Sequence, residues 1–271
     1  MTMAGSRTFA LRLTPLTLLG GTARLLERNF LVYRHIWMVI LSGFFEPLFY
    51  LFAARLGIGG LVGDVELTSG EVVDYATFVA PALLAASAMN GALFESTMNV
   101  FFKLKFARVY DAILSTPLQP IHVALGEIGW SQVRGSLYAI GFLVVMAFGG
   151  LLPSIWGVLA LPAALLIGFS FGAFGMACTT FMRSWQDFDL VTLGSLVLFL
   201  FSATFYPIEV YPQWLQTVAH FSPLYHGVTL TRSLVLGDVS WGLLWHVAVL
   251  AAMCAAGLAV VKRRLVKLLQ P

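Results

Sequence analysis

Residues 157–181 read GVLALPAALLIGFSFGAFGMACTTF, a run without a single Asp, Glu, Lys, Arg or His. A helix that crosses the hydrocarbon core of a bilayer needs about 20 mainly apolar residues. This run is long enough and predicts a transmembrane helix. Glycines recur along it, a pattern that lets helices approach one another closely inside a membrane.

Working outward from this run, the chain predicts an all-α, polytopic membrane protein with six transmembrane helices. Charged residues make up only 11% of the chain, whereas soluble domains carry about 25%. We expect a single transmembrane domain over residues 1–271. The predicted spans are 36–54, 76–96, 127–150, 157–181, 190–206 and 241–261.

The basic residues predict the orientation of these spans. Thirteen of the 16 Lys and Arg residues fall on one side, while the other side carries only Arg55 and Arg232 beside six acids. The positive-inside rule then puts both termini in the cytoplasm of a plasma or inner membrane. The 13 are Arg7, Arg12, Arg24, Arg28, Arg34, Lys103, Lys105, Arg108, Arg183, Lys262, Arg263, Arg264 and Lys267, and the acids are Asp64, Glu66, Glu71, Asp74, Glu209 and Asp238.

Two stretches outside the spans are unusually apolar. Residues 15–34 mix leucines with Arg and Glu, which predicts an amphipathic helix on the inner leaflet, the alternative being a plain basic tail. Residues 207–240 lie on the outer side, where Pro212 and Pro223 divide them into pieces too short to cross. We therefore expect re-entrant or interfacial helices within 207–236, covered by the bundle.

The sequence motifs exclude several enzyme classes. No G-x-x-x-x-G-K-[ST] phosphate-binding loop occurs, so we expect neither ATP nor another cofactor to bind this chain. Residues 168–172 match the G-x-S-x-G of serine hydrolases, but a strand-to-helix elbow cannot form inside a spanning helix. We therefore interpret the glycines around Ser170 as helix-packing residues. No two histidines are three or four residues apart, which argues against a metal pair on one helix.

Carboxylates within the spans are the most informative polar residues. Glu46 lies in the middle of the first span beside Pro47. An ionisable residue there must face protein or water, so it is either a gate or a structural carboxylate, and both interpretations stay open. Glu95 and Glu127 lie near the inner ends of spans two and three, and Arg134 is two turns beyond Glu127. A pair between Arg134 and Glu95 across the helices is one alternative.

Residues 103–122 read KLKFARVYDAILSTPLQPIH and lie on the inner side. Helix-forming residues continue to Ser115, and Pro117 and Pro120 then interrupt the helix. The segment predicts a short helix parallel to the membrane, which is either a docking element or a plain loop.

At these positions the chain resembles the permeases of type-2 ABC exporters (the ABC-2 family). It looks most like the NodJ-like branch of lipooligosaccharide and drug exporter permeases. Each motif is degenerate alone, but their order along nearly the whole chain is specific. They are NFLVYR (29–34) and GFFEPL (43–48), YDAILSTPL (110–118) and LGE (125–127), then FYPIE (205–209), PQWLQ (212–216), SPLYH (222–226) and Arg232.

The resemblance implies a subunit without its own ATPase, which pairs with a second permease copy and with two ATP-binding-cassette subunits that bind ATP and Mg. We expect membrane lipids and an amphipathic substrate as further partners, and no nucleic acid. The resemblance also assigns residues. The coupling helix would contain Tyr110, Asp111, Ala112, Ile113, Leu114, Ser115, Thr116 and Pro117, and the outer re-entrant region Pro207, Glu209, Pro212, Trp214, Pro223 and His226.

We expect outward transport of a lipid-linked saccharide or a hydrophobic drug along the subunit interface. The alternatives are an ion-coupled secondary transporter or channel that uses Glu46, and an intramembrane enzyme that uses Ser170. Inverted repeats would favour the secondary transporter, and none is evident. The residues expected to line the path or gate are Phe44, Phe45, Glu46, Phe49, Phe199, Phe201 and Phe205.

Overall fold

The computed structural model describes residues 18–33, 45, 48–66, 70 and 72–269. Within these ranges the chain is mainly helical. The helices are α1 (Leu18–Tyr33), α2 (Leu48–Val62), α3 (Tyr75–Phe106), α4 (Val109–Leu114), α5 (Pro120–Phe148), α6 (Ile155–Thr179), α7 (Asp187–Phe201), α8 (Gln213–His220), α9 (Pro223–Leu236) and α10 (Leu243–Leu269), with a short 3₁₀ turn at Ile208–Val210.

Among the described residues, four helices are long and apolar enough to cross a membrane: α3, α5, α6 and α10. They correspond to predicted spans two, three, four and six. Much of predicted span one lies outside the described residues, and α2 covers only its end. Predicted span five is α7, which has 15 residues and is shorter than expected. The structure therefore supports four of the six predicted spans.

The helices that contain predicted spans two and three extend beyond the predicted inner ends of those spans. Helix α3 continues past Glu95 to Phe106, and α5 begins at Pro120, seven residues before Glu127. Both carboxylates therefore lie inside their helices. The predicted spans ended at these polar residues, but each carboxylate has a basic partner on the facing helix, so neither helix needs to end there.

Helix α6, formed by the apolar run 157–181, is the central helix. It packs against α3, α5, α9 and α10. Its glycines allow the neighbouring helices to approach closely. At Gly175 a Cβ would come within 3.1 Å of the side chain of Leu93 on α3, so a larger residue would push the two helices apart. Close approach also comes from α10, where a Cβ on Gly257 would lie 2.8 Å from the backbone carbon of Ala173.

Ser170 belongs to this packing. Its side chain is fully buried, and its Oγ lies 2.7 Å from the carbonyl oxygen of Leu166 and 2.8 Å from that of Leu250 on α10. The hydroxyl therefore donates to a backbone carbonyl and has no basic side chain as a partner in these contacts. This geometry fits the packing interpretation and does not fit an activated nucleophile.

A small antiparallel hairpin was not predicted. Strand β1 (Asp64–Glu66) pairs with β2 (Val72–Asp74), and Asp64 faces Asp74. The hairpin lies between α2 and α3, and the Asp74 carboxylate accepts the backbone N–H of Ala76 and so caps α3. Three-residue strands carry little periodicity, so the sequence signal for them is weak.

The segment predicted to lie on the outer side, within residues 207–236, folds as α8 and α9, neither of which is long enough to cross. Helix α9 is largely buried against α3 and α6. The hydroxyl of Thr231 donates to the carbonyl oxygen of Pro81 at 3.0 Å, and the Arg232 guanidinium donates to those of Phe78 at 3.1 Å and Ala203 at 2.8 Å. Arg232 thus joins α9 and α3 to the segment after α7, where Ala203 has a positive φ of 56°.

Candidate functional site

A cavity of about 560 Å³ lies between α3, α5 and α7 and is the main candidate site. Its wall is mixed, with apolar and aromatic side chains beside hydroxyl, amide and charged groups. Such a composition is typical of sites for small molecules that have both an apolar and a polar part. The lining residues include Tyr50, Ser87, Asn90, Gly91, Phe94, Glu95, Thr97, Ser131, Arg134, Gly135, Tyr138, Thr192, Ser195 and Phe199.

A buried ion pair forms the polar wall of the cavity. The Arg134 guanidinium donates to the Glu95 carboxylate, and the exposed fractions of the two side chains are only 14% and 7%. The Asn99 amide donates to the same carboxylate at 2.6 Å, and Arg134 also donates to the Tyr138 hydroxyl at 3.2 Å. The pair across the helices that the sequence left open is therefore present.

The backbone at Glu95 is unusual. Residues Glu95–Asn99 form a π-helical turn inside α3, and Phe102–Phe106 form a second one. A π turn adds one residue to the helical repeat and occurs often at functional sites. The first of these turns presents Glu95 to the cavity, where it meets Arg134.

Aromatic side chains also line the cavity. Phe199 of α7 lies 5.9 Å from Tyr50 and 5.1 Å from Phe205, measured between ring centroids.

The start of α7 is fixed because the Asp187 carboxylate accepts the backbone N–H groups of Arg183 at 2.7 Å and Ser184 at 3.1 Å. These hydrogen bonds, that of Arg183 first, hold the pKa of Asp187 below its usual value.

The predicted path residues do not form one group in the described part of the chain. Of the five that the structure describes, only Phe199 lines the cavity. Phe45 stacks on Phe49 at 6.2 Å, and both rings are exposed, as is Phe201. Phe205 packs between Phe199 and the core. Phe44 and Glu46 lie outside the described residues.

The predicted coupling segment forms α4, a helix of six residues. Tyr110 is its anchor, with 1% of its surface exposed in an apolar cluster with α1, α5, α6 and α10. Burial, together with the negative charge of Glu127, raises the pKa of the Tyr110 phenol well above its usual value. Of the remaining predicted residues, Ile113 and Leu114 pack against the same apolar cluster as Tyr110. Asp111, Ala112, Ser115 and Thr116 are exposed, and Ile113, Leu114 and Pro117 are half-buried.

A second buried ion pair lies next to Tyr110 of α4. The Lys103 ammonium donates to the Glu127 carboxylate at 2.7 Å, and the Asn29 amide of α1 donates to the same oxygen at 3.3 Å. This cluster joins α1, α3 and α5 beside Tyr110. It was not predicted, because Lys103 looks like an inner-loop charge in the sequence and Asn29 stands out only as part of a motif.

Three histidines come together on α8, α9 and α10. The Nδ1 atoms of His226 and His246 lie 2.7 Å apart, and His226 Nε2 lies 3.0 Å from the His220 carbonyl oxygen. A carbonyl can only accept, so His226 Nε2 carries the hydrogen, and in the neutral form His246 Nδ1 must donate to His226. Sequence spacing could not show this pair, because its members lie on α9 and α10.

The other residues predicted for the outer region lie between positions 207 and 223 of the sequence. Pro212 and Pro223 stand immediately before α8 and at the first position of α9, as expected of prolines at helix starts. Pro207 precedes the 3₁₀ turn that holds Glu209. Trp214 is 67% exposed on α8.

Comparison with known proteins decides the family. A family model described as "ABC-2 type transporter" matches residues 21–236. The chain belongs to the ABC-2 type transporter family. The resemblance found in the sequence is therefore confirmed, and the chain is a membrane permease component of an ABC transporter that is not itself catalytic.

Individual relatives agree with this assignment. Nodulation protein J of Rhizobium leguminosarum bv. trifolii is 32% identical over 83% of this chain and 84% of its own length. The protein of the same name from R. leguminosarum bv. viciae is 29% identical over 89% and 93%. The "Probable multidrug ABC transporter permease YbhR" of Escherichia coli (strain K12) is 25% identical over 71% of this permease and 54% of its own length.

Proposed function

We propose that this permease exports an amphipathic molecule, a lipid-linked saccharide or a hydrophobic drug, through the cavity between α3, α5 and α7. The observation that carries the proposal is the mixed wall of that cavity, which combines a charged pair with uncharged polar groups and aromatic rings. An amphipathic molecule can bury its apolar part and keep its polar group hydrogen-bonded in such a site.

Energy would come from a separate polypeptide. The sequence contains no phosphate-binding loop, and family membership makes this chain the permease. We infer that two ATPase subunits bind ATP and Mg, and that they act on a pair of permease copies, either identical or related. ATP binding would bias the pair between inward- and outward-facing states, since a ligand shifts a conformational equilibrium by its differential affinity for the two states.

Helix α4 is the proposed point of contact with the ATPase. Its Tyr110 side is fixed in the core next to the Lys103–Glu127 pair, while Asp111 is exposed on the other side. A force applied to the exposed side of α4 would therefore reach α1, α3 and α5 through rigid contacts.

Charge reversal on α4 should uncouple the transporter. We expect Asp111→Lys to keep the permease folded but to lower substrate-stimulated ATP turnover, because it changes the exposed side of α4 and leaves Tyr110 and Leu114 in their apolar cluster. The measurement is ATP hydrolysis and substrate uptake into inside-out vesicles after co-expression with the ATPase subunit. Lys267→Asp on the exposed cytoplasmic end of α10 is the matched control. An unchanged ratio of transport to ATP hydrolysis would remove α4 from the docking surface.

The cavity itself is tested with the same assay. Gly91 and Gly135 line it, and a Cβ added to either glycine meets nothing within 4 Å. The Cβ of Gly91→Leu would therefore lie in open space and the side chain would narrow the cavity. We expect this variant to abolish stimulation by substrate and to preserve basal ATP turnover. Stimulation as strong as in the wild type would show that substrate travels elsewhere.

The proposed orientation puts both termini in the cytoplasm of the inner or plasma membrane. It predicts that an impermeant thiol reagent added outside labels Asp64→Cys, in the exposed hairpin, and does not label Lys105→Cys until the cell is opened. The native Cys178 and Cys254, both half-buried, are replaced by Ala beforehand. Labelling in the reverse order would invert the topology.

A further inference from the structure

The charge balance of the cavity has a consequence for its ligands. Among the described residues that line it, Glu95 is the sole acid and Arg134 the sole base, and they neutralise each other. The other polar lining groups are uncharged. They are the side chains of Tyr50, Ser87, Asn90, Thr97, Ser131, Tyr138, Thr192 and Ser195. The hydroxyls of Thr97, Ser131 and Ser195 already donate to backbone carbonyl oxygens, so they can accept a hydrogen bond from a ligand hydroxyl.

Such a wall distinguishes between kinds of polar group. A charged ligand that enters would lose its hydration and find no uncompensated opposite charge, which is costly in a low-dielectric site. A ligand hydroxyl would exchange hydrogen bonds with water for hydrogen bonds with hydroxyl and amide side chains at little net cost.

We propose that the Glu95–Arg134 pair makes the cavity selective for amphipathic molecules whose polar group is uncharged and bears hydroxyls. The inference rests on the proposed function in one respect, that this cavity is where substrate binds. Glu95 and Arg134 then determine specificity through their mutual neutralisation, and each is kept in place by its neighbour, Asn99 or Tyr138.

Removal of either partner should change the selectivity in a defined direction. Glu95→Gln keeps the shape of the side chain and leaves the Arg134 charge uncompensated, which favours anions. Arg134→Met leaves the Glu95 charge uncompensated, which favours cations. A single unscreened charge about 6 Å from a ligand charge changes affinity by roughly 10- to 100-fold at an effective dielectric constant of 20.

The test uses three probes with the same alkyl chain: octyl glucoside, octyl phosphate and octylamine. Binding to the purified permease in lipid nanodiscs is measured at pH 7.5 without any ATPase subunit. We expect the wild type to bind octyl glucoside most tightly, Glu95→Gln to gain roughly 10- to 100-fold for octyl phosphate, and Arg134→Met to gain as much for octylamine. Gly91→Leu should remove the binding of octyl glucoside and so assigns it to the cavity.

Two results would overturn the inference. One is a wild-type protein that binds either charged probe as tightly as the glucoside, a comparison that does not depend on any variant at the pair. The other is a preference order that stays the same in folded Glu95→Gln and Arg134→Met proteins. The combined variant should regain the wild-type preference, because it carries neither charge. If the probes bind with the expected preferences but substrate does not stimulate ATP turnover in the co-expressed complex, the exporter proposal is rejected. The assignment of the binding site and its selectivity then still stands.

Discussion

Glu127→Ala is expected to destabilise the permease by about 3–5 kcal/mol, because it leaves the Lys103 ammonium buried without its counter-charge. The two side chains are only 5% and 11% exposed, and Lys103 lies 2.7 Å from the carboxylate. The Asn29 amide would also lose its acceptor. The free energy of unfolding in a fixed detergent is the quantity to measure.

The matched variant removes both charges at once. Replacement of a whole buried ion pair by apolar residues is often neutral or stabilising, so Lys103→Met with Glu127→Leu should recover most of the loss. Glu66→Gln, at an exposed acid of the hairpin, serves as the control and should change stability by less than about 0.5 kcal/mol. A double variant as unstable as Glu127→Ala would mean that the cluster acts through hydrogen bonds and packing and not through charge.

Gly257→Leu should have an effect at least as large, by a different mechanism. A Cβ at this position would lie 2.8 and 2.9 Å from the carbonyl carbon and oxygen of Ala173. Backbone cannot move aside as a side chain can, so α10 would have to separate from α6. Even Gly257→Ala should cost about 1–3 kcal/mol, as other overpacked sites do.

The control for this prediction is Gly194→Ala. Gly194 lies within α7, where a Cβ meets nothing within 4 Å, and alanine is the better helix former by about 1 kcal/mol. The measurement is the yield of monodisperse protein and its thermal midpoint in detergent. Equal behaviour of the Gly257 and Gly194 alanine variants would show that the two helices can separate at no cost.

The sequence predicted well what depends on average hydrophobicity. The helical class follows from long apolar runs, and the ordered motifs between Asn29 and Arg232 are enough to identify the family. It predicted less well what depends on individual partners. The extension of α3 and α5 beyond the predicted spans was not foreseen, because Glu95 and Glu127 look like helix ends until Arg134 and Lys103 are seen across from them.

The residues that line the cavity were also hard to predict, because the sequence does not show the partners of individual side chains. An aromatic residue that lines a cavity and one that faces lipid have the same signature in sequence, so Phe199 could not be separated from Phe49 or Phe201. The His226–His246 pair and the Asn29 contact join residues 20 and 98 positions apart. No periodicity within one helix encodes such contacts, since they arise only from how the helices pack.

The two π turns of α3 also bear on how this helix can change over evolutionary time. Each turn holds one residue more than an α-helical turn, and an added residue rotates everything beyond it by about 100° around the helix axis. Glu95 and Lys103 face their partners with these rotations in place. Deletion of one residue between Asn99 and Phe106 would therefore leave a helix of nearly the same length and hydrophobicity, yet turn Lys103 or the start of α4 away from its neighbours. Alignments of related permeases should accordingly show few gaps in this segment, even where the residues themselves vary freely.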